Sequence, residues 1–433
     1  MSENQIYDLE CVLIALLIGG ILLWFVNSRL KRSRPDLAIG RPIAVAFGVR
    51  IFAALIVSGT TYAAQLRGGD ELTFLSKARS LASWSLFSTG TLDGLTKQFH
   101  SEFFSLSFRV FDRVPGMMLR AQVIAIAVLG ITFLAAAVYE LAGQKAAVIT
   151  AWVLALEPTN IFFSGILHKE PFMLLAEGLV AFGGAVLWKR GKFTALVPMV
   201  LGCLLATATR PYVGWFLSFA AAAIALHVGL RRKSPTQSFA LVTLVLALGV
   251  AFFPVVWNAS SSKKLKALQT SQSANAADAK SNLSLERVDY SSRGKLIVNL
   301  PKRVLDIATK PYPWQVANAS QQLGLLGTMA MLVGFVALLA ALFRDGGGIM
   351  RRAGPLIYPA FFLLIAYSIS AGNAGTAFRY RTHLVAFLLA IVCTLRETHS
   401  KSPIPAVVRA PGRLQPVLTQ PPPLEHTRVH ASN

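Results

Sequence analysis

The sequence predicts an all-α, polytopic membrane protein with about eleven transmembrane helices, and three observations lead there. Hydrophobic residues fill 54% of the 433 positions and charged residues only 14%, with a mean hydropathy of +0.55, more apolar than a soluble domain with a polar surface allows. Apolar runs of roughly 17 to 25 residues, long enough to cross hydrocarbon, recur along the chain. Lys and Arg gather in short clusters between these runs rather than on one amphipathic face. The net charge of +22 therefore reads as orientation by the positive-inside rule, with membrane lipids as the surroundings and no nucleic acid as partner.

In chain order the runs lie near 11–27, 43–64, 119–141, 146–166, 171–188, 193–209, 212–230, 237–257, 323–343, 354–371 and 377–395. Glu3, Asp8 and Glu10 precede the first run and SRLKRSR follows it, the inverse of the charge order of a secretory signal peptide. The first helix is expected to remain as an anchor with its N-terminus outside. The first, third, fifth, seventh and ninth links then face the cytoplasm, and all are basic: SRLKRSR, the surroundings of Lys145, WKRGK, RRK and FRDGGGIMRR. A basic, cytoplasmic C-terminal tail fits the same alternation, in a plasma membrane of the bacterial type.

The exterior set is then 65–118, the HKEP turn, TRPY around Arg210, the long segment 258–322, and AGNAGTAFRYR. Within 65–118, Leu72, Leu75, Ala78, Leu81 and Ala82, then Phe103, Phe104, Leu106 and Phe108, recur at helical spacing and predict amphipathic helices on the membrane interface. The chain accordingly divides into an anchor and basic link (1–42), a membrane core with an exterior acidic loop (43–257), and an exterior loop (258–322). C-terminal spans (323–398) and a Pro-rich disordered tail (399–433) complete it. The exterior loop is expected to be flexible through NASSSKKLKALQTSQSANAADAKSN and ordered through LIVNLPKRVLDIATKPYPWQV. Cys11, Cys203 and Cys393 are widely spaced in apolar stretches and read as core thiols.

Acids are scarce, so their positions carry information. Asp70 and Glu71 fall between the second span and an amphipathic helix, where a carboxylate can serve as general base towards a lipid-borne substrate without being dehydrated. The alternative is that Asp70 caps a helix beginning near Leu72. His168, Lys169 and Glu170 occupy a tight turn between two apolar helices, a costly place for three titratable groups unless they bind substrate, partner or water. A solvated turn, with Glu170 stabilising the start of the next helix, is the competing account.

Arg210 precedes Pro211 and Tyr212, and Arg379 and Arg381 flank Tyr380 at the mouth of the last helix. Guanidinium groups gathered at one membrane face suit a phosphate or pyrophosphate, although such residues also snorkel to headgroups. Lys302, Arg303, Lys310 and Tyr312-Pro313-Trp314 are read as an interfacial anchor or a lid over a sugar. Inside the spans, Glu177 either pairs with a neighbouring helix or snorkels, and Arg50 has no evident role. The cytoplasmic links hold no P-loop, no GxGxxG after a strand and no acidic metal cluster, which argues against nucleotide-driven chemistry there. The string GGDEL also occurs in diguanylate cyclases, but it stands here on the exterior side, away from nucleotides.

The stretch GDELTFLSKARSLASW resembles the acidic loop of the GT-C superfamily of membrane glycosyltransferases, polyprenyl-phosphate-sugar-dependent and similar to protein mannosyltransferases. Phe74, Ala78 and Leu81 match its aromatic and helical positions, and Pro158, Ser164 and Glu170 match the layout of the spans that follow. TRPY at Arg210 is similar to a later exterior basic site. Similarity runs over about 45–225, with weaker echoes in KPYPWQV and FRYRTHL. An additional N-terminal helix and Glu170 in place of an Asp depart from the pattern.

The resemblance implies a GT-C-like fold and inverting transfer of a sugar from a polyprenyl-phosphate donor to a glycan, lipid or protein acceptor on the exterior face. It makes Asp70 the base, lets Glu71 or Glu170 orient the acceptor or a divalent metal, and gives the lipid phosphate to His168, Lys169, Arg210, Tyr212, Arg379 and Arg381. A polysaccharide polymerase or ligase using lipid-diphosphate-linked glycans would rely on the arginines instead. A lipid-linked sugar transporter or flippase would place charges at mid-membrane, where this sequence has chiefly Arg50 and Glu177.

Overall fold

The computed structural model describes residues 2–59, 61–83, 98–231, 258, 261–277, 289–345, 348–372 and 374–400, with isolated positions between 235 and 246. Every regular element among them is helical. In chain order these are α1 (Glu3–Ser33), α2 (Gly40–Gly59), α3 (Thr61–Ala82), α4 (Phe99–Val110), α5 (Gly116–Ala142), α6 (Gln144–Leu156), α7 (Pro158–Gly165) and α8 (Glu170–Arg190). After them come α9 (Leu196–Thr209), α10 (Pro211–Arg231), α11 (Ser262–Ala277), α12 (Arg293–Thr309), α13 (Ala319–Asp345), α14 (Ile349–Ser370) and α15 (Ala374–Ser400).

Eight of the described helices are long and apolar enough to cross a membrane: α1, α2, α5, α8, α10, α13, α14 and α15. The chain is an integral, multi-pass membrane protein. Three further runs read as spans fare differently. The run 146–166 is not one helix: α6 and α7 meet at 62°. The cause is local, since Pro158 has no N–H for α6 to use and the Glu157 carboxylate instead caps α7, accepting from the amides of Thr159 (3.1 Å) and Asn160 (2.6 Å). The run 193–209 forms a shorter apolar helix, and 237–257 lies mostly outside the described residues.

The core is built around α5 and α8, whose apolar windows are 89% and 78% buried, against 22% for the peripheral α1. Glycine permits their close approach. A Cβ on Gly130 would stand 2.6 Å from the Leu174 backbone, and one on Gly178 would stand 2.5 Å from the Gly130 carbonyl. Gly202 brings α9 equally close to the Ala176 carbonyl, at 2.5 Å.

Apart from Arg50 and Glu177, which lie within spans, the ion pairs of the membrane core gather towards the two ends of this bundle. At one end Glu140 receives Arg34 (2.5 Å) and Arg190 (2.8 Å), and Lys145 meets Glu397 (3.1 Å), so four segments expected on the same side are tied together. Glu170 stands at the other end of α8, about 30 Å from Arg190 at 1.5 Å per residue. Over that end α3 and α4 pack Ala78 and Phe104 onto Leu119, Leu167 and Phe172. They cap the bundle with a buried face rather than lying on the interface alone.

Four expectations are corrected. Helix α3 starts at Thr61 and runs through position 70, so Asp70 does not cap a helix beginning near Leu72, and the second span stops at Gly59 rather than 64. Part of the segment expected to be flexible forms α11; its Lys, Gln and Ala are good helix formers and Leu265 is buried. Helix α15 continues to Ser400, two residues into the expected tail; 401–433 lie outside the described residues. The three cysteines are free, as expected of core thiols.

Candidate functional site

The site forms where chain breaks bring side chains to the Glu170 end. Between α7 and α8 the His168 amide donates to the Ile166 carbonyl (2.8 Å), and Pro171 occupies the first turn of α8, which leaves Glu170 at its N-terminal end. Between α9 and α10 the Arg210 amide still bonds the Ala206 carbonyl (2.7 Å), while Pro211 starts the next helix. Arg210 is therefore held at the junction, and its Nη2 donates to Glu170 Oε1 at 2.6 Å with both residues buried.

Helix α15 supplies the third side. Its Arg379 Nη1 donates to His168 Nδ1 (2.9 Å), which leaves Nε2 as the protonated nitrogen of a neutral imidazole. Glu170 Oε2 is 4.0 Å from the same Nδ1. Tyr380 lies under the Arg210 guanidinium (4.8 Å to the ring centre) and shares a hydrogen bond with Tyr212 (2.6 Å between hydroxyls). Tyr367 of α14 stacks on Tyr380 at 4.5 Å and donates to Glu177 Oε1 (3.0 Å), whose Oε2 meets His383 Nδ1 (2.9 Å). Glu177 thus pairs with neighbouring helices and does not snorkel.

The fourth side is α3 with α4. Phe74 touches His100 (4.4 Å) and His168 (5.9 Å) edge to face and lies beneath the Lys169 ammonium (5.6 Å). His100 is 2% exposed, and burial, then the cations Lys169 and Arg210, push its imidazole down to about 2, so it is neutral at any ordinary pH. Neither ring nitrogen has a hydrogen-bond partner among the described residues, and Glu170 Oε2 and Arg210 Nη1 are also open. Four buried polar atoms at one end of the bundle are thus available to a ligand.

Of the residues singled out from sequence, His168, Lys169, Glu170, Arg210, Tyr212 and Arg379 come together. Glu71 stands apart from them in role. Its carboxylate is buried against Arg120 Nη2 and accepts the Leu167 amide (3.5 Å), while Arg120 Nη1 donates to the Gly165 carbonyl (2.8 Å). It positions the turn that carries His168 and is not open to a substrate or metal.

Arg381 is a correction. It is 1% exposed and donates to the carbonyls of Ile307 (2.7 Å), Gly324 (3.0 Å) and Lys310 and to the Thr328 hydroxyl (2.5 Å), which spends it on joining α12 to α13. Asp70 lies within α3, one turn before Phe74 and on the same helical face; its side chain is outside the described residues. Among the described residues no group of three or more His, Cys, Asp or Glu is arranged to hold a metal ion.

Sequence reasoning missed Tyr380, Tyr367, His383, His100 and Arg120. A signal existed for Tyr380, framed by two arginines. None existed for His100 in FHSEFF, which only the fold brings beside Lys169. Arg50, without a role on sequence grounds, donates to the carbonyls of Leu154 (2.9 Å) and Ala155 (3.1 Å) and to Asn160 Oδ1 (2.7 Å), filling the gap at the α6–α7 break. Tyr312 and Trp314 stack at 4.9 Å with Trp314 exposed, and Lys310 pairs with Asp306 (2.8 Å).

Comparison with family models, with curated proteins and with solved structures gives no match.

Proposed function

We propose that this protein is a GT-C-like membrane glycosyltransferase that moves a sugar from a polyprenyl-phosphate donor to a glycan, lipid or protein acceptor at the outer face, in cell-envelope polysaccharide or glycoconjugate synthesis. The proposal includes eleven crossings, an exterior N-terminus and a cytoplasmic C-terminus, in keeping with the alternation of basic links. One observation supports it above others: Arg210, Arg379, Lys169 and His168 converge on the Glu170 end of the bundle, opposite the end where the basic links gather.

In this reading the phosphate of the donor lies against Arg210, Arg379 and Lys169. Asp70 takes the proton from the acceptor hydroxyl, whose oxygen attacks the anomeric carbon as the bond to the lipid phosphate breaks. The electron pair leaves with the phosphate, and the guanidinium groups stabilise its charge. Position 70 shares its helical face with Phe74, which touches His168 and Lys169. Glu170, held by Arg210 through one oxygen, keeps the other for a substrate hydroxyl.

The test is Asp70→Asn in liposomes supplied with polyprenyl-phosphate sugars and a glycan acceptor. Transfer is expected to fall at least a hundredfold, the scale of a lost general base; turnover near that of the unaltered protein removes Asp70 from this role.

A second reading, a polymerase or ligase joining lipid-diphosphate-linked glycans, draws on a different observation: an arginine and a histidine are paired at the centre of the cluster, while the Glu170 carboxylate is held in an ion pair. Activity that survives Asp70→Asn but not Arg210→Ala assigns the protein to that class.

A further inference from the structure

At the end of the bundle opposite Glu170, three span termini enclose a cavity of about 550 Å³. Trp188, Lys189 and Arg190 come from the last turn of α8, His227 and Arg231 from the last turns of α10, and Arg351 from the first turn of α14. The indole of Trp188 is the floor. It packs against the His227 ring (4.4 Å between centres), lies beneath the Arg231 guanidinium (5.7 Å), and donates its N–H to the Arg351 carbonyl (3.1 Å). His227 is fixed through Nδ1 by the Tyr358 hydroxyl (2.8 Å), and its Nε2 is buried without a partner.

Among the described residues no acidic side chain lines this cavity. Arg190 pairs with Glu140 (2.8 Å), which it shares with Arg34, but Lys189, Arg231 and Arg351 form no ion pair among the described residues. Three cations and an open imidazole nitrogen around one cavity are a recognition set for phosphate oxygens. Depth distinguishes the sources of such a group. All three contributing helices begin or end here, which is the level of the headgroups. The tryptophan, with its amphipathic ring, and the exposed Leu230 and Phe193, one and three residues along the chain from Arg231 and Arg190, suit that boundary.

We propose that this pocket binds the phosphate of an anionic membrane lipid, the headgroup among Lys189, Arg231 and Arg351 and the acyl chains outside along α9 and α10. The inference is independent of the activity proposed for the opposite end.

The experiment is native mass spectrometry of the purified full chain, equilibrated with equal amounts of dioleoylphosphatidylglycerol and dioleoylphosphatidylcholine. The unaltered protein is expected to retain phosphatidylglycerol preferentially. Arg231→Gln with Arg351→Gln should reduce that preference roughly ten- to thirtyfold, the worth of two cations at a headgroup. Lys189→Gln, at an exposed side chain with no ion pair among the described residues, should reduce it about fivefold and decides the matter if the double variant does not fold.

Equal retention of the two lipids by the unaltered protein overturns the proposal, as does an undiminished preference in the variants. Tryptophan quenching by inorganic phosphate, lost in Lys189→Gln and seen without any lipid preference, assigns the pocket to a soluble phosphate and also overturns it.

Discussion

Replacing Glu170 by Gln removes the carboxylate that, among the described residues, pairs directly with Arg210, while keeping the side-chain shape. The two groups meet at 2.6 Å with side-chain exposures of 3% and 8%, so the pair is largely shielded from bulk solvent. At an effective dielectric near 20, unit charges about 4 Å apart interact by about 4 kcal/mol, and removing one partner of a buried pair costs about 3 to 5 kcal/mol. That is a large share of the ~5 to 15 kcal/mol that hold a typical domain together. Glu170→Gln should cost about 3 to 4 kcal/mol, because it strands the buried Arg210 guanidinium, and Arg210→Gln somewhat less, because Arg379 still acts on the Glu170 carboxylate. The double variant strands none, and its two amides can bond one another. It should therefore cost less than either single change, with a coupling of several kcal/mol. Unfolding in mixed micelles, followed by circular dichroism as the mole fraction of dodecyl sulfate rises, measures all four corners of the cycle. Single costs below about 0.5 kcal/mol that simply add would refute the reasoning.

Two further outcomes follow from packing and titration. Gly130→Ala drives a methyl group into the Leu174 backbone at 2.6 Å and should cost at least ~1 to 3 kcal/mol, whereas Gly48→Ala meets nothing within 4 Å and should change stability by less than about 1 kcal/mol; equal effects in the same micelle assay contradict the close approach of α5 and α8. His100 stays neutral in the fold down to about pH 2, while the unfolded chain protonates it near its ordinary value of about 6.5. Below that pH the unfolded state binds the extra proton, so stability falls on acidification by about 1.4 kcal/mol per unit, roughly 2 kcal/mol by pH 5. His100→Asn should flatten that part of the pH profile, and superimposable profiles for the two proteins would reject it.

The sequence carried more of the fold than of the site, for physical reasons visible in particular residues. Spans such as 119–141 and 323–343 are legible because hydrocarbon sets a minimum length that composition must satisfy, and α5 and α13 lie over them. The break at Glu157 was written in the chain as Glu-Pro within an apolar run, yet mean hydropathy is blind to a hydrogen-bonding interruption. Arg381 and Arg379 show the same limit at the site. They are two residues apart on one helix, one spent on backbone carbonyls and the other paired with His168, and only the packing of α12 and α13 tells them apart. Position 168 was legible because a titratable turn between apolar helices is costly. His100 was not, since the charged groups around it, Lys169, Glu170 and Arg210, come from segments about seventy to a hundred and ten residues along the chain, and its ring partner Phe74 from another helix.

The arginine in α2 has a consequence for biogenesis. Its acceptor at Leu154 lies 104 positions downstream, so α2 leaves the ribosome long before the carbonyls that satisfy it exist. Until then the guanidinium has only Ala46, in its own helix, and a lone arginine at that depth costs at least ~2.5 to 3.5 kcal/mol on insertion scales. The early helix is thus a provisional passenger of the bilayer. It becomes a committed one when the interrupted helix arrives and hands it a socket, so the order of synthesis is part of how this membrane core assembles.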